Sequence, residues 1–347
     1  MTRSRILMAV LGTAYFFVAF VLFAYWTFPY DRLAAFLTDK VAESGSGYTL
    51  DIGALSPYWL TGVELEQVKV RKQAAETLPT TPPAKGAQPL DQAINVQSAR
   101  ARLGLLSLLT GSTAVSFDAE LGEGEVEGTF EQDGDAKKLV ATLSKVDLDK
   151  LGLLEQMVAL PMKGTLTGDF DLSLGAQPTN TNGKIKLTVQ KLVVGDGKAK
   201  LKLGSMGGLT IDPISAGDVV VDVDVQNGVG NVKNLSANGS DLKLKGSGDI
   251  RFNQPLARSR LNVLLRLELT DAYRNKSSRT KAMFALLEGS SVPQVAMAKT
   301  PDGAYELRLT GSFRKVQALP ANAPQSATGP SPSLAAPGGG AADDDDE

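Results

Sequence analysis

The chain has 347 residues, with 36 basic and 38 acidic side chains, and it contains neither histidine nor cysteine. The absence of these two residues excludes disulfides, thiolate metal sites and the Ser-His-Asp or Cys-His arrangements of nucleophilic catalysis. A net charge of −2 provides no global field that would attract nucleic acid.

The first predicted element is an apolar run from Ile6 to Phe28 that contains no charged residue. At about 1.5 Å per residue this run would form a helix roughly 35 Å long, enough to cross a bilayer. Arg3 and Arg5 precede it, which favours a cytoplasmic N-terminus at residues 1–5. A cleaved signal peptide is the alternative, but the run is longer than such segments and no small-x-small cleavage pattern follows. The sequence therefore predicts a transmembrane helix over residues 6–28.

The predicted extracytoplasmic domain covers residues 29–316. Helical spacing of apolar residues from Tyr30 to Glu43 predicts a short amphipathic helix, which either lies at the membrane surface or packs on the first strands. In the predicted strand at 63–70, the apolar residues occupy odd-numbered positions up to Leu65 and even-numbered positions from Val68. This shift predicts a bulge near Gln67. Residues 74–89 are rich in proline, alanine and threonine and predict a flexible loop.

From Ile94 onward the pattern is one strand after another. Residues 164–174 alternate strictly between apolar and polar side chains, and the same period of two recurs at 219–225, 242–252 and 305–313. Asn-Gly and Asp-Gly pairs separate many of these segments and are typical of tight hairpins. The predicted fold class is therefore mainly β, with the N-terminal helix followed by a long, curved, mostly antiparallel sheet. Curvature is favoured by glycines in phase with the apolar side, namely Gly168, Gly246, Gly248 and Gly311.

Two segments have helical spacing instead, at 148–158 and 272–287, and we expect both to cap the ends of the sheet. The second is basic, so it either presents a solvated face or touches anionic lipid or a partner. Residues 317–347 are rich in alanine, proline, glycine and serine and end in five acidic residues. This composition predicts a disordered acidic tail, either solvated or docked on a partner.

No catalytic constellation emerges from the sequence. The glycine-rich segments at 122–128 and 195–198 lack the spacing of a dinucleotide loop or a P-loop. Paired aspartates at i, i+2 share a strand face, which suits either carboxylate chemistry or the solvated side of an amphipathic strand; we expect the solvated side for Asp169, Asp171, Asp222 and Asp224. We therefore predict a non-enzymatic protein with no catalytic, cofactor-binding or metal-binding residues.

Several structural motifs resemble a known family. They are the segments 48–70 (YTLDIGALSPYWLTGVELEQVKV), 108–117, 163–168 and 242–252 (LKLKGSGDIRF), all downstream of the apolar N-terminal run. Together they resemble type II secretion system protein N, within the wider AsmA-like group of periplasmic β-rich proteins. The motifs are structural, so the resemblance carries over no active-site residue.

The resemblance implies a bacterial inner-membrane protein with a periplasmic AsmA-like sheet. It implies an accessory or scaffold role in the type II protein secretion system, with other secretion-system subunits as partners. The alternative is an AsmA-like lipid-binding or lipid-transfer protein that holds acyl chains in an apolar trough of the sheet. The sequence leaves both hypotheses open.

Overall fold

The protein forms one long antiparallel β-sheet with a few short helices. A computed structural model describes residues 11–13, 15–16, 19–20, 22–23, 26–43, 48–59, 61–72, 93–105, 107, 110–151, 160–198, 200–203, 206–253, 258–289, 293–313 and 315–322. The predicted fold class is confirmed in its main part, since the sheet is open and every pairing between its strands is antiparallel.

The strands follow one another across the sheet almost in chain order. Their bounds are β1 Tyr48–Asp51, β2 Ala54–Tyr58, β3 Gly62–Lys72, β4 Ala93–Leu103, β5 Thr113–Leu121, β6 Gly124–Asp133, β7 Ala136–Asp147, β8 Met162–Leu174, β9 Asn182–Val194, β10 Lys200–Leu203, β11 Met206–Thr210, β12 Ile214–Gln226, β13 Val229–Asn238, β14 Leu242–Arg251, β15 Arg260–Leu269, β16 Tyr305–Ser312 and β17 Lys315–Pro320. Strands β1 and β2 both pair with β3, and the β10–β11 hairpin forms a separate small sheet between β9 and β12. The consecutive order follows from short turns, such as Asn227-Gly228, where both residues have positive φ.

Short α-helices accompany the sheet in the described part of the chain. They are α1 Tyr30–Glu43, α2 Leu148–Leu151, α3 Asp271–Arg274, α4 Ser278–Gly289 and α5 Pro293–Ala298. Helix α1 packs against β1 and β2, so the expectation that it contacts the first strands is met. The predicted helix at 272–287 is split in two, because α3 ends at Arg274 and α4 begins at Ser278.

Among the residues that are described, no helix is long and apolar enough to cross a membrane. The predicted span over residues 6–28 falls partly outside that set, at residues 6–10, 14, 17–18, 21 and 24–25. The predicted N-terminus at 1–5, the loop at 74–89 and most of the predicted helix at 148–158 also lie outside the described residues.

The change of phase in β3 has a different cause from the one expected. Gln67 has a φ of +53°, but β3 pairs with β4 in the same register on both sides of it, so no extra residue is inserted. The predicted bulge is therefore wrong. Instead, Val68 and its partner Val96 change to the other face of the sheet together, and Val68 is buried there.

The last strand also extends further than expected. β17 pairs with β16 as far as Pro320, so residues 317–320, which the sequence assigns to the tail, belong to the sheet. The reason is that Val316 and Ala318 continue the apolar alternation opposite Gly311 and Leu309. Residues 323–347 lie outside the described part of the chain.

Candidate functional site

The candidate site is a continuous apolar face on one side of the sheet. Residues that lie directly opposite each other on paired strands share a face, so the register traces rows of side chains across the strands. The first row, called row one, consists of Leu55, Leu65, Ala99, Ala119, Val126, Leu143, Gly168, Leu187, Val221, Leu235, Gly246, Leu265, Leu307 and Pro320. It runs from β2 to β17 and contains no polar side chain.

A second row lies on the same face, two residues further along each strand except β13, where a register shift makes the separation three residues. Row two consists of Pro57, Val63, Ala101, Phe117, Gly128, Ala141, Phe170, Ile185, Val223, Val232, Gly248, Val263, Leu309 and Ala318. It too contains no polar side chain. Rows one and two together define the apolar face.

The opposite side of the sheet is polar and charged. One of its rows consists of Ser56, Glu64, Arg100, Asp118, Glu127, Thr142, Asp169, Lys186, Asp222 and Asn234. Arg100 forms ion pairs with Glu64, at 2.8 Å, and with Asp118, at 3.6 Å. Apart from the region around Val68 and Val96, the two sides of the described sheet therefore differ sharply, and the apolar face is the one that water solvates poorly.

The four paired aspartates lie on this polar side, as expected. Lys186 lies between Asp169 and Asp222, and Lys184 lies between Asp171 and Asp224. Cross-strand neighbours of opposite charge stabilise a solvated sheet surface. Within the described residues, no three acidic side chains converge closely enough to hold a metal ion.

Much of the apolar face is incompletely buried by the part of the chain that the structure describes. From β2 to β7 the side chains of both rows are only partly buried, apart from the buried Ala141. Full burial occurs mainly between β8 and β14, in a cluster that contains Leu172, Val223, Val225 and Phe252. The arrangement can accept apolar groups over the partly exposed region, where added contacts would remove hydrocarbon from water.

Glycines make room within the face. All four glycines expected on the apolar side are there: Gly168 and Gly246 in row one, Gly248 in row two, and Gly311 opposite Leu261 and Val316. A Cβ at Gly246 would lie 2.3 Å from Leu235 Cδ2. The glycine thus allows the larger side chain to lie across the neighbouring strand.

Helical segments cover the apolar face at one end of the sheet. Helix α2 follows β7 and reaches β4, and its Leu148 is buried. Helices α3 and α4 contribute Tyr273, Met283 and Phe284 to a core with Leu160 and Ile211. We call α3 and α4 the helical cap.

A buried carboxylate fastens the helical cap to the sheet. Asp241, whose side chain is only 8% exposed, accepts hydrogen bonds from Lys276 Nζ at 2.7 Å and from the Ser215 amide at 2.9 Å. Burial alone would raise the pKa of Asp241, but these two hydrogen bonds, the charge of Lys276 and a hydrogen bond from Ser240 together lower that pKa below its ordinary value. Asp241 therefore stays ionised and holds Lys276 in place.

A second carboxylate contacts the same cap. Asp212 accepts hydrogen bonds from Ser277 and Thr280, and Arg279 lies 3.3 Å from its other oxygen. The hydrogen bond from Ser277 is the main cause that lowers the pKa of Asp212. Burial raises the pKa of Tyr273 to about 12, and its hydroxyl donates to the Asp212 carbonyl oxygen at 2.8 Å.

These contacts give the basic segment partners within the protein. Arg274 stacks on Phe284, Lys276 binds Asp241 and Arg279 binds Asp212, so three of its cations are used within the protein. Lys276, Arg279 and Lys281 are nevertheless exposed to solvent, so a solvated face and a contact with lipid or a partner both stay predictions. Sequence reasoning missed these partners because they lie 35 and 67 residues away along the chain.

Comparisons of the chain with protein-family models, with curated proteins and with solved structures find no match.

Proposed function

We propose that this chain is a non-enzymatic, inner-membrane-anchored protein that holds lipid acyl chains on the apolar face of a periplasmic sheet. The observation that carries the proposal is the unbroken apolar character of rows one and two from β2 to β17. The anchor and its orientation rest on the sequence of residues 1–28, and the periplasmic location rests on the family resemblance.

The dimensions of the face suit this role. Thirteen consecutive strands from β3 to β17, leaving aside β10 and β11, cross the sheet. At about 4.8 Å between neighbouring strands, each row is roughly 58 Å long, which exceeds the length of an acyl chain. Each CH₂ group removed from water contributes about 0.8 kcal/mol, so a chain lying along a row gains substantial free energy.

Site-specific photocrosslinking to lipid tests this proposal. A benzophenone amino acid would replace Leu187 in row one or, as the matched control, its neighbour Lys186 on the polar side. We expect a lipid adduct, identified by its mass, at position 187 and not at 186. Lipids around the anchor do not interfere, because the probe reports only on its own position. Equal adducts at both positions, or none at 187, would contradict the proposal.

A scaffold role in the type II secretion system is the second candidate. It is favoured by the family resemblance and by β17, which pairs with only one neighbour among the described strands and so offers an edge to a partner strand. Co-purification with membrane components of the secretion apparatus tests it. A deletion strain that exports its exoproteins normally would count against it.

A further inference from the structure

An exposed tryptophan lies in the turn between β2 and β3. Trp59 is 68% exposed and has a φ of +54°, in a three-residue connection closed by the Tyr58–Gly62 pair. A bulky residue rarely adopts positive φ, and such outliers cluster at functional positions. The fold thus holds a large amphipathic ring outward at the end of the sheet.

Two exposed leucines lie beside this turn. Leu103 ends β4, and its amide donates to the Thr61 carbonyl oxygen at 3.2 Å, while Thr61 Oγ1 donates to the Leu103 carbonyl oxygen at 2.8 Å. Leu105 follows in the next connection and is 54% exposed. Trp59, Leu103, Leu105 and the exposed Arg102 are called the corner.

The backbone around the corner is hydrogen-bonded internally. The Gly104 amide donates to the Ala114 carbonyl oxygen at 2.8 Å, and Ser107 Oγ donates to the Gly104 carbonyl oxygen at 2.7 Å. Ser107 Oγ also accepts from the Ala114 amide at 3.2 Å. These backbone groups are thus satisfied within the protein, which lowers the cost of placing them in a layer poor in water.

The charge at the corner favours a lipid surface. Residues 58–63 and 101–117 contain no acidic side chain, and Arg102 supplies a cation suited to phosphate groups. The next turn at this end of the sheet carries Asp133 and Asp135. Contact is therefore restricted to the corner and does not extend along the whole end of the sheet.

The corner also lies at the edge of the sheet to which the N-terminal segment is connected. Helix α1 packs against both β1 and β2, and β2 leads into the connection that carries Trp59. The proposed membrane helix directly precedes α1. Both apolar elements are thus connected to the same edge of the sheet.

We propose that the corner contacts the headgroup layer of the bilayer that holds the N-terminal anchor. Tryptophan favours this layer because its ring is apolar and its N–H is polar. The inference rests on the proposed anchor, and it adds a second attachment point that would fix the orientation of the sheet relative to the membrane.

The chain contains only two tryptophans, Trp26 and Trp59, so fluorescence can test each separately. The full chain carrying Trp26→Phe is reconstituted into vesicles containing lipid brominated either near the headgroup or deep in the acyl chain. We expect a blue-shifted Trp59 emission and stronger quenching by the shallow bromine than by the deep one. Adding Leu105→Asp to this variant should reduce the quenching.

Two results would overturn the inference. Trp59 could be quenched by aqueous acrylamide but not by brominated lipid, which means that it faces water. Alternatively, it could resist both quenchers, which means that a protein surface covers it. The Trp59→Phe variant reports on Trp26 alone, so an unquenched Trp26 would refute the proposed anchor independently of the corner.

Discussion

Removing Lys276 should weaken the attachment of the helical cap measurably. In Lys276→Met, the Asp241 carboxylate keeps its hydrogen bond from the Ser215 amide but loses its charged partner at 2.7 Å. A hydrogen bond between a carboxylate and a charged donor contributes about 1.5–3 kcal/mol. The Lys276 side chain is 39% exposed, so screening by solvent places the expected loss near the lower end, at about 1.5 kcal/mol.

The assay is urea unfolding of the full chain in detergent, followed by circular dichroism. Lys281→Met is the matched control, because Lys281 is an exposed lysine on α4 of the same helical cap and its substitution should change the free energy of unfolding by less than about 0.5 kcal/mol. A double-mutant cycle with Asp241→Asn should return a coupling of about 1 kcal/mol. Equal losses for Lys276→Met and Lys281→Met, or no coupling, would refute the reasoning.

The pH dependence gives a separate check. Folding lowers the pKa of Asp241, so the stability it contributes is complete above its unfolded-state pKa and is lost as the pH falls through its lower folded-state pKa. The difference between wild type and Lys276→Met should therefore be constant at neutral pH. Below about pH 4 the two proteins should converge. A difference that persisted in acid would mean that Lys276 acts through packing alone.

Three further substitutions test the fold. Gly183→Ala should destabilise the fold by more than about 3 kcal/mol in thermal melts, because the added Cβ would lie 1.9 Å from the Asp171 carbonyl oxygen. Gly134→Ala is its control, since Gly134 also has a positive φ but has open space around it. Tyr273→Phe should cost about 1–2 kcal/mol in urea unfolding, since it removes the hydrogen bond from the buried Tyr273 side chain to the Asp212 carbonyl oxygen, and an unchanged midpoint would contradict this. Trp59→Asn should raise stability by about 1 kcal/mol, because asparagine tolerates the left-handed conformation, and a loss of stability would show that the ring packs on the fold.

The strands were predictable because their determinants are local. The alternation at 164–174 corresponds to β8, and the pattern at 305–313 corresponds to β16, since one solvated side per strand leaves a period of two in the sequence. The same alternation also predicted that each strand has one apolar side. Alternation within a strand does not specify which strands pair or in which register. Rows one and two depend on that register, so the pattern of the sequence does not predict them.

The remaining features depend on distant partners. Val68 in β3 and Val96 in β4 change face together, although a long segment separates them in the chain. The sequence of either strand alone therefore does not predict the change. The roles of Lys276 and Arg279 depend on Asp241 and Asp212 in connections before β14 and β12. Such tertiary contacts override the default expectation that charges on a short helix face water.

The order of the strands has a consequence for how the protein assembles. Nearly every strand pairs with the one made just before it, so each new hairpin can add to an edge that already exists. A chain that emerges N-terminus first during synthesis can therefore fold progressively, without waiting for its C-terminal half. The inserted β10–β11 hairpin and the helices between β15 and β16 interrupt this growth only briefly, because the strands on either side of each insertion still pair with each other.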